Sequence, residues 1–175
     1  MFRSALPLLS SIIGTASATY VFTTLCFSIA SINGKSMQPE LNITGGNTDI
    51  VLVNHIPLQI TQIRVPERGR VAVIRSPTDP QKTVIKRIIA VENETIIPRE
   101  DKIYVYKKNH VPFMEEEPIL IPKGHCWVEG DNAASSTDSN SFGAIPVALI
   151  QGYAEYVIYP HQRSISNTIP KETRK

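Results

Sequence analysis

The stretch TVIKRIIAVE, Thr83 to Glu92, decides how the rest of the chain is read. A short run rich in Val, Ile and Thr has the length and composition of a β-strand. In a strand, Val84, Lys86 and Ile88 share one face, and Ile85, Arg87 and Ile89 share the other. A lysine therefore interrupts an apolar face. Two readings of it stand. It is an edge-strand lysine that discourages aggregation, or it is a buried amine, for which desolvation disfavours the ammonium form and leaves a neutral base near neutral pH.

Working outward from that strand, the same pattern recurs. DIVLVNHI (Asp49–Ile56), RVAVIRS (Arg70–Ser76), KIYVYKK (Lys102–Lys108), HCWVEG (His125–Gly130) and GYAEYVIYP (Gly152–Pro160) are short and rich in β-branched or aromatic residues. Gly, Pro, Asn, Asp and Ser gather between them, in NITGGNT, SPTDPQ, RED and NAASSTDSNSFG, and mark turns. No amphipathic helical period of useful length follows residue 41. The pattern predicts a mostly β, antiparallel domain.

Upstream the composition changes. Ser4 to Gly34 holds no Asp, Glu, Lys or Arg, and Leu6 to Ile32 is mostly apolar. A bilayer core needs a helix of ~20 apolar residues, so this run predicts one N-terminal transmembrane helix and the lipid bilayer as a partner. The competing reading is a cleaved signal with ASA (Ala16–Ala18) at its cleavage site, but the run continues well past that point. Arg3 and Lys35 flank it almost symmetrically, which leaves orientation undetermined by charge. Gly14 and Ala18 are spaced to share one helix face, an arrangement that permits close helix pairing. The expected organisation is an anchor over 1–34, a β-rich catalytic domain over 35–162 and a polar, basic tail over 163–175.

With 18 basic and 16 acidic residues, the net charge of +2 offers no basic stripe, and nucleic acid is not an expected partner. Cys26 and Cys126 are far apart, and His55, His110, His125 and His161 are scattered, so neither a disulfide framework nor a metal or other cofactor is expected. NIT (Asn42–Thr44) and NET (Asn93–Thr95) match the glycosylation sequon, which informs only if the domain enters the secretory lumen.

A neutral lysine can take the proton of a serine hydroxyl. Ser36, in NGKSMQPEL (Asn33–Leu41), is the candidate nucleophile: Gly34 permits unusual backbone geometry beside it, and Pro39 stiffens the turn that follows. Alone, such a serine is better explained as a helix cap or loop residue. Pairing with Lys86 raises it. An Asp- and Ser-rich loop after a strand can return carboxylates and hydroxyls to a buried Lys-Arg pair, though by itself it also reads as a solvated turn.

These blocks, in this order, closely resemble the membrane-anchored type I signal peptidases, serine proteases with a Ser-Lys dyad. SMQPEL (Ser36–Leu41), with Met37 and Pro39, resembles the nucleophile block. DIVLVN (Asp49–Asn54) and RGRVAVIRSP (Arg68–Pro77) follow, then IKRIIAVE (Ile85–Glu92) as the base block and GDNAASSTDSNSFGAIP (Gly130–Pro146) as the last. Within the family the resemblance is to the branch of the mitochondrial inner membrane peptidase, subunit 2 type, through GHCWVEGDN (Gly124–Asn132), DSNSFG (Asp138–Gly143) and the short total length.

The resemblance implies Ser36 as nucleophile, Lys86 as general base and Ser136 as the hydroxyl that orients the lysine amine. It implies that Asp131, Arg87 and Asp138 hold the framework. The implied activity is removal of signal or sorting sequences from precursor proteins, by a heterodimer with a homologous second peptidase subunit. The implied place is the mitochondrial inner membrane, with the catalytic domain facing the intermembrane space. Bacterial relatives commonly carry Arg where Asn140 stands, and some have a serine at the place of Gly34, where it helps the oxyanion hole. Glu40 and ENET (Glu92–Thr95) also depart from the common pattern. The runner-up readings are a bacterial leader peptidase and a non-enzymatic, membrane-tethered β module. Self-cleaving repressors share the dyad but pair it with a helix-turn-helix domain, where this chain has an apolar segment. If Lys86 is not the base, His125 and His55 are the next candidates.

Overall fold

The computed structural model describes residues 14–15, 17, 19–20, 26–43, 48–55, 66–99 and 118–170. The described strands are β1 (Phe27–Ile32), β2 (Asp49–Asn54), β3 (Val71–Arg75), β4 (Thr83–Ala90), β5 (Thr95–Ile96), β6 (Ile119–Leu120), β7 (His125–Glu129), β8 (Ile145–Pro146), β9 (Ile150–Tyr159) and β10 (Arg163–Ser164). Between the later strands lie a short helix, α1 (Ser139–Phe142), and the 3-10 turns Ala133–Ser135 and Val147–Leu149. The fold is mostly β, and its strand pairs are antiparallel, as the sequence predicts.

The main sheet runs β1-β2-β9-β3-β4-β7-β8, with β10 added to β9. β9 is the long spine between β2 and β3, and its register shifts against both neighbours mark bulges, which bend and twist a sheet. Alternation sends β-branched residues to separate apolar clusters. Ile85 and Val73 join Ile32, Met37 and Val51, whereas Ile88 joins Ala72, Ile74 and Val128. A third cluster gathers Ile89, Ile96 and Ile121 around Trp127. Val84 packs on the edge of the Ile88 cluster, so the two face-mates of Lys86 lie in apolar surroundings.

β4 lies between β3 and β7 and is buried from Ile85 to Ala90. The edge-strand reading of Lys86 is thereby removed. Strands expected at Asp49–Ile56, Arg70–Ser76, Thr83–Glu92, His125–Gly130 and Gly152–Pro160 appear as β2, β3, β4, β7 and β9, with ends shifted by one or two residues over the described positions. Lys102–Lys108 lies outside the described residues.

Two boundaries differ from the expectation. Phe27–Ile32, assigned from sequence to the anchor helix, is β1, paired with β2 from Phe27↔Asn54 to Ile32↔Asp49. An uncharged run satisfies a membrane helix and a strand equally, and the unpaired edge of β2 decides for the strand. Among the described residues no helix is long and apolar enough to cross a membrane. The expected anchor otherwise falls mainly outside the described residues, as does Ala18 of the Gly14/Ala18 pair. At the other end, Arg163 and Ser164 pair with Val157 and Tyr156, and Ile165 is buried in the core, so the domain runs past residue 162 rather than ending in a tail there.

Candidate active site

The loop after β1 carries Ser36. The chain turns at Gly34 with φ +107, a region that favours glycine, and then forms consecutive turns from Ser36 to Glu40. Met37 is buried against Ile32 and Val51, the Gln38–Pro39 peptide is cis, and the Leu41 N–H donates to the Met37 carbonyl at 2.8 Å. Asn42 clasps the loop. Its Nδ2 donates to the Ile32 and Gly34 carbonyls, both at 2.8 Å, and its backbone and side chain exchange hydrogen bonds with Asp49. Asn42 is therefore a buried structural residue with φ 57, not an accessible sequon asparagine. Arg163 Nη2 donates to both Asp49 Oδ2 and the Glu40 carbonyl at 2.8 Å, tying the C-terminal segment to the same loop.

β4 brings Lys86 to this loop. Lys86 is 4% exposed, and its Nζ lies 2.9 Å from Ser36 Oγ. A hydroxyl at that distance from an amine is within proton-transfer reach. A cleft of about 250 Å³ opens beside the pair, bounded by Ala30–Asn33 of β1 and its turn and by Thr83–Lys86 of β4.

The third element is the loop after β7. Gly130 sits where the loops cross: a Cβ there would lie 2.4 Å from Ser136 Oγ and 2.5 Å from the Ser36 carbonyl oxygen. The Asn132 N–H donates to that same Ser36 carbonyl at 3.0 Å. Ser136 is buried and donates from Oγ to Asp138 Oδ2 at 2.6 Å. Asp138, fully buried, also accepts from the Gly130 N–H and from the Asn140 N–H and Nδ2, and it caps α1. Four donors on one carboxylate offset its desolvation.

Arg87 points away from the cleft and is wholly buried. It forms a bidentate pair with Asp131, through Nε at 2.8 Å and Nη2 at 2.7 Å, and donates from Nη1 to the Gly69 and Ser166 carbonyls. Glu40 approaches it at 4.0 Å and accepts from the Ser166 N–H, so the charge that departs from the family pattern is drawn into the framework. The structure thus brings together Ser36, Lys86, Gly34, Met37, Pro39, Arg87, Asp131, Ser136 and Asp138.

Four residues to which sequence reasoning gave no part in the site belong to the same assembly: Gly130, Glu129, Arg99 and Asn42, the last read only as a sequon asparagine. Glu129 is buried and accepts from Arg99 Nη2 at 2.5 Å, Trp127 Nε1 at 2.8 Å and Asn140 Nδ2 at 3.0 Å. The only available sequence signal was a strand ending Glu-Gly-Asp, with an acidic residue at a strand position. The two alternative bases are engaged elsewhere: His55 meets Ser28 Oγ and the Gln151 carbonyl, and His125 meets the Lys123 carbonyl. Burial pushes the Cys126 thiol up to about 12, and both cysteines are free. Among the described residues no cluster of His, Cys, Asp or Glu side chains is arranged to hold a metal ion.

Residues 5–159 match the family described as Signal peptidase, peptidase S26. Mitochondrial inner membrane protease subunit 2 of Mus musculus is 33% identical over 147 residues, 82% of this chain and 75% of that protein. Mitochondrial ATP-independent inner membrane protease subunit 1a of Arabidopsis thaliana is 36% identical over 135 residues, 76% of this chain and 71% of that protein. A signal peptidase I from Enterococcus faecalis overlaps 50% of this chain and 95% of that one, at 24% identity and a TM-score of 0.38. The resemblance read from the ordered blocks is thus matched across most of the length, and the chain belongs to the signal peptidase family, peptidase S26.

Proposed function

We propose that the protein is a membrane-anchored serine endopeptidase that removes signal or sorting sequences from precursor proteins, with Ser36 as nucleophile and Lys86 as general base. The observation that carries this reading is the 2.9 Å approach of a 4% exposed lysine amine to a serine hydroxyl. Burial disfavours the ammonium, and a neutral amine accepts the Ser36 proton as Oγ attacks the scissile carbonyl. The proton passes from Nζ to the leaving amine when the peptide C–N bond breaks. Water then attacks the acyl-enzyme, giving one proton to Lys86 and freeing the acid, and Ser36 regains its proton. The Ser36 N–H has no acceptor among the described residues and is available to the developing oxyanion.

Ser136 has one hydroxyl proton, which Asp138 takes, so towards Lys86 it is an acceptor that aims the amine. The Arg87–Asp131 pair holds β4 against the loop that carries Ser136. The cleft between β1 and β4 suits an extended peptide, because β1 pairs only with β2 among the described residues and has a free backbone edge. The anchor is assigned to the uncharged N-terminal run ahead of β1. The names of the similar proteins support the mitochondrial inner membrane as location and a homologous second subunit as partner; the β domain is assigned to the intermembrane space on the family resemblance alone.

The test is cleavage of a precursor by the purified full chain and its Ser36→Ala variant. The variant is expected to bind precursor, keep its thermal transition and lose all but a trace of cleavage; substantial residual cleavage would overturn the assignment.

A further inference from the structure

Glu129, at the end of β7, is 1% exposed, and a carboxylate that deep needs a cation or several donors. Arg99 supplies the cation through Nη2 at 2.5 Å, and among the described residues its Nε and Nη1 find no acceptor, so there the guanidinium is held by this one ion pair and a longer contact to the Gly130 carbonyl. Arg99 also acts through its backbone: its N–H donates to Asn140 Oδ1 at 2.8 Å. That bond fixes the orientation of the Asn140 amide. Nδ2 then bridges Glu129 Oε1 and Asp138 Oδ1, both at 3.0 Å. The other oxygen of Asp138 takes the Ser136 hydroxyl.

We propose that Arg99 is a positioning residue for the peptidase reaction, holding the Ser136 hydroxyl in place through Glu129, Asn140 and Asp138. Every link in this chain is buried or nearly so. Without the guanidinium, the Glu129 carboxylate draws more strongly on Asn140 Nδ2. That change moves the bridge to Asp138 Oδ1 and lets the Asp138 carboxylate rotate. Ser136 lies against the Ser36 backbone across Gly130, so that rotation reaches the reacting groups. The inference rests on the proposed roles of Ser36, Lys86 and Ser136.

The experiment measures kcat and KM of the full-length protein on a precursor peptide for Arg99→Gln, Arg99→Lys, Ser136→Ala and the Arg99→Gln/Ser136→Ala double variant. Ser36→Ala serves as reference. Arg99→Gln is expected to lower kcat ~10-fold, as a small misplacement of an orienting group does, with KM within ~2-fold. Arg99→Lys is expected to recover most of that loss. The double variant should be no slower than Ser136→Ala alone, because both changes disable one device. Unchanged kcat in Arg99→Gln, even with a lower melting temperature, overturns the proposal, as do losses that multiply in the double variant. If Arg99→Gln does not fold, the same comparison with Arg99→Met, which keeps the length of the side chain without its charge, decides the matter. An active Ser36→Ala enzyme would instead remove the dyad reading on which the inference rests, whereas a dead Ser36→Ala beside a fully active Arg99→Gln rejects Arg99 alone.

Discussion

Adding one methyl group at Gly130 tests how closely the three elements of the site must approach. An alanine Cβ there would stand 2.4 Å from Ser136 Oγ, 2.5 Å from the Ser36 carbonyl oxygen and 2.6 Å from Ser136 Cβ, where ordinary contact begins near 3.4 Å. The neighbours must therefore give way by about 1 Å, and two of the three contacts cannot be relieved by swinging a long side chain. The Ser36 carbonyl is held by the Asn132 N–H, and Ser136 is held by Asp138, which in turn bonds the Gly130 N–H. Overpacking of this kind costs about 1–3 kcal/mol of stability. A displacement of about 1 Å at the reacting groups costs on the order of 10²-fold in rate. Gly130→Ala is thus expected to remain folded at 25 °C and to cleave precursor peptide ~10²-fold more slowly, read by steady-state kinetics beside a thermal melt. A folded Gly130→Ala enzyme with full kcat would refute the claim that Ser136 and Ser36 are locked together across this position.

Lys86→Arg keeps the positive charge but supplies no neutral base, because guanidinium stays protonated; it is expected to inactivate the enzyme almost completely in the same peptide assay. Retained activity would move the search for the base to His55 and His125. Asp131→Asn removes the bidentate partner of the fully buried Arg87, leaving Glu40 at 4.0 Å as the remaining carboxylate, and is expected to cost about 3 kcal/mol, the lower end for breaking a buried pair, read from the urea midpoint. The Cys126 thiol, pushed up to about 12 from 9.0 by burial, is expected to resist iodoacetamide at pH 8 in the folded protein and to react once urea unfolds it. Because the folded value lies above the unfolded one, the Cys126 contribution to stability is intact below pH 9. It is lost as pH rises towards 12, which a urea midpoint series across that range would show.

Elements with a strong local signature were legible in the sequence. β4 is an example: its β-branched run fixed its type, and its alternation correctly separated Lys86 from Arg87. The Ser36 loop was legible through Gly34 and Pro39. β1 was not, because Phe27–Ile32 continues an uncharged run and only its partner β2 distinguishes strand from helix. The two-residue strands β5, β6, β8 and β10 were not legible either, since so short a segment has no period of its own. Asn42 was read as a sequon because its burial depends on Asp49 and on the Ile32 and Gly34 carbonyls, contacts that no local pattern encodes. Arg99 was assigned to an ordinary turn, and its part in the site exists only through Glu129 and Asn140, 30 and 41 residues away.

The period of two along β4 explains why the proposed base and its scaffold are sequence neighbours. Lys86 reaches Ser36 from one face, and Arg87, on the other, is clamped by Asp131 and by the Gly69 and Ser166 carbonyls. A one-residue slip of this strand would exchange the two side chains, placing a permanently charged guanidinium at the serine and a single ammonium among acceptors that take four guanidinium hydrogen bonds. Register is therefore under two independent constraints, burial of the apolar faces and the fit of Arg87. The loop from Gly130 to Asn140 serves both faces, since Asp131 at one end holds Arg87 while Ser136 and Asp138 lie beside the Ser36 loop. Rigidity at the proposed nucleophile and base thus derives from ion pairs and hydrogen bonds behind them, leaving the cleft side of Ser36 and Lys86 open to an incoming peptide.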